Sequence, residues 1–149
     1  MPLLKYFLIL TLFAMPLAAH KDALADEAPL SFSNAYAYQT APNQSNGAVF
    51  MDVHNRTSDD IQITAAASDV AQMVELHTHS MDGGTMSMYP VEFFTIPANG
   101  DHALKPTGDH IMLMMLNAPL MPNETFEVKV TVGNGENFTI PVSVKSLSE

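Results

Sequence analysis

The chain has 149 residues with 6 Lys and Arg against 16 Asp and Glu, a formal net charge of −10, and no cysteine. That length suits a single domain with its own core, able to bury roughly two thirds of the unfolded surface. The acidity excludes nucleic acid as a partner, favours metal cations or a basic protein surface, and for the most part serves solubility, while the missing thiols exclude disulfides and a lipid anchor on Cys.

In chain order, residues 1–25 read as an export signal. Lys5 supplies the positive start, Tyr6 to Ala19 the apolar run, and Ala23-Leu24-Ala25 a small-x-small cleavage site before Asp26. The run is shorter than the roughly 20 residues that span a bilayer. Cleavage and export to the periplasm are therefore expected, leaving residues 26–149 as one soluble domain, still more acidic once Lys5, Lys21 and Asp22 are gone. Residues 26–34 are expected to be a loosely held lead-in.

Beyond it, apolar residues alternate with period two between turn signals, the pattern of half-buried strands. Strands are expected over Ala35 to Gln39, Ala48 to His54, Ile61 to Ala65, Val74 to His79, Met86 to Tyr89, Glu92 to Ile96 and Ile111 to Leu116. Phe126, Val128, Val130 and Val132, then Gly133-Asn134-Gly135-Glu136, then Phe138, Ile140, Val142 and Val144 predict a hairpin. Pro141 cannot donate to a ladder, which places its strand at an edge. No helical period, internal repeat or linker interrupts the series, so the fold class is all-β, a Greek-key sandwich.

The chemistry-bearing residues are His77 and Met88, with ten residues between them, and His110 and Met112 after a further twenty-one. Thioether sulfur is a soft, uncharged donor that suits Cu(I), and imidazole serves copper in either oxidation state. Alternate residues of a strand share a face. Glu75, His77 and His79 lie on the phase opposite Val74, Leu76 and Thr78, and His110, Met112 and Met114 lie opposite Ile111, Leu113 and Met115. Both imidazole-bearing phases should then point away from the core. Taken singly, a Met is usually core filler and a His a hydrogen-bonded surface group; the constellation carries the reading. Met81 could be a mobile further donor, and Met86 shares the phase of Met88. Met73, Met114, Met115 and Met121 read as packing, His54 as a turn residue, His102 as exposed, and Asp109 as an acceptor orienting His110. Sequons at Asn43, Asn55, Asn123 and Asn137 are given no role.

The stretches Val74-Glu75-Leu76-His77-Thr78-His79, Met86-Ser87-Met88 and Pro106-Thr107-Gly108-Asp109-His110-Ile111-Met112 resemble the PCuAC-type periplasmic copper chaperones, over the last two thirds of the chain. Two positions depart from that family. His79 stands where Met is frequent, leaving its part in the site open, and Thr107 stands where Gly is common. The resemblance implies a cupredoxin-like sandwich without cupredoxin chemistry, since a blue-copper centre needs a Cys thiolate. It also selects Met88 over Met86. It implies a monomeric, non-enzymatic carrier of one Cu(I) on His77, Met88, His110 and Met112. Its cargo would go to a copper-accepting protein, the binuclear copper centre of a haem-copper oxidase, alongside a thiol-based copper chaperone. Rival readings are a copper storage or resistance protein, a mononuclear copper oxygenase, and an envelope interaction module without metal; no nucleophile–base constellation is visible in the sequence.

Overall fold

The computed structural model describes residues 28–148, so the expected export signal lies outside the described residues. The strands are β1 (Leu30–Tyr38), β2 (Asn46–Asn55), β3 (Ile61–Ala67), β4 (Ala71–Asp82), β5 (Thr85–Pro90), β6 (Phe94–Ile96), β7 (Gly100–Leu104), β8 (His110–Leu116), β9 (Thr125–Val132) and β10 (Asn137–Lys145). Among the described residues no helix is long and apolar enough to cross a membrane.

Hydrogen bonding runs in the order β5-β4-β8-β2-β1-β10-β9-β3-β6, with β7 pairing the second half of β2. β3 and β4 stand far apart in that order yet touch, because the sheet folds back on itself into a sandwich. Alternation supplies the interior. Val128 and Val130 of β9 and Ile140 and Val142 of β10 are buried between exposed Glu127, Lys129 and Pro141. They meet Val49, Val53, Ile63 and Ile111 in one hydrophobic cluster. The β9–β10 hairpin forms as expected, with Gly135 at φ 86°, a left-handed turn position that suits glycine.

Three expectations about the strands need correction. Within the lead-in expected over 26–34, the segment from Leu30 to Ser33 is not loose, because it pairs with Asn55 to Asp52 and Leu30 is 5% exposed. The alternation of Leu30 and Phe32 with Ser31 and Ser33 already carried that strand; a bulge after Ser33, with Asn34 at φ 52°, breaks the pattern. β10 is not an edge strand, since β1 pairs with it in parallel. That pairing joins Tyr36 to Ser143, Ala37 to Val144 and Tyr38 to Lys145, beyond Pro141, so the proline takes part only in the ladder with β9. Finally, β7 was not expected at all. Gly-Asp-His-Ala-Leu has too little apolar character to register as a strand, and its pairing is imposed by β2.

Candidate metal centre

Register brings the site together. β8 lies between β4 and β2, pairing His77 with His110, Glu75 with Met112, and Met112 with Ala48. On the other side of β4, His79 pairs with Met88 of β5. Directly opposed residues share a face. Glu75, His77, His79, Met88, His110 and Met112 therefore project from one side, while Leu76, Ile111 and Leu113 on the other phase are buried in the core. The three chain segments thus lie side by side in the order β5-β4-β8.

His110 is 2% exposed and His77 9%, so these imidazoles lie on the phase opposite the main core and are nonetheless buried. Met88, at 47%, marks the open side. His79, Met88, His110 and Met112 line a cavity of about 330 Å³ walled also by apolar Ala48 and Phe50. His77 does not line it. Its ring centroid is 5.9 Å from that of His110, whereas the His79 ring is 5.0 Å from it.

Hydrogen bonds fix the tautomers. His110 Nδ1 lies 3.0 Å and His79 Nδ1 3.2 Å from the Gly108 carbonyl oxygen, which can only accept. Both rings thus carry a proton on Nδ1, an arrangement that in the neutral imidazole leaves the lone pair on Nε2. In His77 the roles reverse. Nε2–H donates to Glu75 Oε2 at 2.9 Å, and Nδ1 is a buried nitrogen without a partner. This is the usual arrangement of metal-binding imidazoles, one nitrogen tied to a carbonyl or carboxylate and the other bare.

One contact decides the chemistry. His110 Nε2 faces Met88 Sδ at 3.1 Å. Burial, the largest influence, lowers the pKa of His110 below its ordinary 6.5, against the opposing effect of the Gly108 bond, which favours the neutral ring; with its proton on Nδ1, that ring has a bare Nε2. Two lone pairs then confront each other. A cation between them removes the conflict, since donors sharing an ion at about 2.0–2.3 Å from it lie roughly 3–4 Å apart. Among the described residues no group of three or more His, Cys, Asp or Glu is placed to hold a metal, so any ion here depends on the thioethers. That requirement selects a soft metal.

Other expected roles shift. Asp109 does not orient His110. It accepts from His102 Nε2–H at 2.8 Å, so His102 is partly buried and hydrogen-bonded rather than exposed, and this pair anchors the turn carrying Gly108. With Thr107 at the family's Gly position the turn still closes, Gly108 N–H donating to Lys105 O at 2.9 Å and Lys105 N–H to Asp109 O at 2.9 Å. Met81 and Met86 pair across the β4–β5 hairpin beyond His79 and Met88, on the same face, and are exposed.

Two features escaped the sequence. Asn55, fully buried, donates to Asp59 O and Ile96 O and accepts from the Thr57 N–H and Oγ1–H, which makes it a structural pin. A nucleophile–base arrangement also exists. His54 Nε2 lies 2.8 Å from Ser33 Oγ and His54 Nδ1 2.8 Å from Asp101 Oδ1. Asp101 is 61% exposed and shared with Arg56, and none of the three principal cavities is lined by this trio. It acts as a hydrogen-bond ladder across β1, β2 and β7.

A family model described as LpqE-like matches residues 30–144. Lxx21020 of Leifsonia xyli subsp. xyli, named as a lipoprotein, is 33% identical over 113 residues, 75% of this chain and 68% of that protein. Among solved structures, CuI-DR1885 of Deinococcus radiodurans superposes with a TM-score of 0.64 at 30% identity, over 84% of this chain and 85% of that one. The copper-bound PCuAC domain from PmoF2 gives a TM-score of 0.67 at 13% identity, over 79% and 93%, a likeness of fold. The all-β, cupredoxin-like sandwich is thus shared.

Proposed function

This chain belongs to the LpqE-like family, of the PCuAC copper-chaperone type, and on that premise we propose that it binds one Cu(I) through His77, Met88, His110 and Met112 and delivers it to a copper-accepting protein. The observation that carries this reading is the approach of His110 Nε2 to Met88 Sδ at 3.1 Å, with His110 Nδ1 already bonded to the Gly108 carbonyl. The unpartnered Nδ1 of His77 supports it. A donor set without thiolate leaves the charge of Cu(I) uncompensated and favours it over Cu(II), while the half-exposed Met88 leaves a side from which an acceptor can approach. A carrier needs both properties.

The acceptor is proposed to be the binuclear copper centre of a haem-copper oxidase, with a thiol-based chaperone as a further partner, and the working compartment the periplasm. A single site for one ion favours transfer over storage. The test is an anaerobic Cu(I) titration of the purified protein against a chromophoric chelator, beside the His110→Ala, Met112→Ala double variant. One tight equivalent lost in the variant is expected. Binding that the double substitution leaves intact would return both residues to packing.

A further inference from the structure

Of the two imidazoles on β4, that of His79 lines the cavity and that of His77 does not. His79 shares the Gly108 carbonyl with His110, so its Nε2 presents a lone pair, and it lies directly across the ladder from Met88. His79, Met88, His110 and Met112 thus form a second set of two imidazoles and two thioethers, on the open side. The two sets share three members and differ in exposure, His79 being only partly buried and His77 nearly closed off.

Among the described residues no three imidazoles or carboxylates are grouped to hold one ion, so His77, His79 and His110 do not form a joint three-imidazole site. Resting on the proposed Cu(I) site, we propose that His79 is the entry and exit ligand: it receives the ion at the cavity with His110, Met88 and Met112, and then exchanges with His77 as the ion moves inward. In the hand-over the bond from copper to His79 Nε2 breaks as the bond to His77 Nδ1 forms. No proton and no electron moves, because Glu75 already holds the His77 proton on Nε2 and the metal stays Cu(I). Release runs the same steps outward. The Gly108 carbonyl keeps His79 in its donor tautomer while the ion is elsewhere.

The experiment compares wild type, His79→Ala, His79→Gln and His110→Ala in two measurements, the equilibrium Cu(I) affinity by chelator competition and the rate of Cu(I) withdrawal by the same chelator in stopped flow. For both His79 variants the expected result is withdrawal slowed about tenfold, equivalent to about 1.4 kcal/mol of barrier, at an affinity unchanged within about threefold. An unchanged rate overturns the proposal. So does an affinity loss as large as that of His110→Ala, which would make His79 a permanent ligand. Absence of Cu(I) binding by the wild-type protein would instead refute the site itself, and is read separately from the rates.

Discussion

Replacing Glu75 tests how the buried imidazole is held. Its Oε2 accepts from His77 Nε2–H at 2.9 Å, the Glu75 side chain being 39% exposed and that of His77 11%. Because the carboxylate is so open to water, the charge attraction itself contributes little. The cost of Glu75→Ala lies in leaving His77 Nε2 without its partner beside an Nδ1 that has none, about 1–3 kcal/mol of apo stability. The same loss frees the ring to turn or change tautomer, and outer partners of this kind carry about 10–100-fold in metal affinity, or about 1.4–2.8 kcal/mol. Glu75→Gln keeps an acceptor oxygen and should lose less than about tenfold. The assays are Cu(I) competition and urea unfolding of the apoprotein. Should Glu75→Ala keep its affinity within twofold while His77→Ala loses it, the carboxylate does not orient the ligand and the tautomer argument fails.

Asn55→Ala should cost about 2–4 kcal/mol in urea unfolding, since it strands two carbonyls and the Thr57 N–H around a fully buried position; a loss under 1 kcal/mol would show that water replaces the amide. Leu113→Ala, in the core behind the ligand strand, should cost about 2–5 kcal/mol. Copper should partly restore its melting temperature, and a ligand strand that no longer binds copper would show that the core positions the site. Acid should destabilise the apoprotein in two steps. His110 has a folded pKa below 6.5, so the unfolded chain takes its proton first: stability is full above about pH 6.5 and declines below it toward the folded value. Asp101, held below its usual 3.8 by hydrogen bonds from His54 and then Arg56, contributes stability that is present above 3.8 and lost as pH falls through its lower folded value. A His110→Gln variant should lack the upper step, and persistence of that step would assign it to another group.

Much of this protein is written locally. Alternation in Val128-Lys129-Val130 and Ile140-Pro141-Val142, and the turn at Gly133 to Glu136, suffice for a sandwich hairpin, because a period-two pattern can bury one face only as a strand. The proposed donors His77, His110 and Met112 are legible for a related reason: soft side chains on one phase of strands whose other phase is core have little packing role there, whereas Met88 lies on β5, exposed throughout, and is selected over Met86 by the family resemblance alone. Pairing was not local. Whether β1 would cover one side of β10, or β2 would draw Gly100–Leu104 into a strand, depends on partners distant in sequence. The same holds within the site. Sequence placed His77 and His79 on one face, but the burial of one and the opening of the other to the cavity follow from how β5, β8 and the Gly108 turn close over β4. The identity of the proposed donors is a property of the chain, whereas the hydrogen bonds that set their tautomers and their differing exposure arise from contacts that exist only once the sheet has folded.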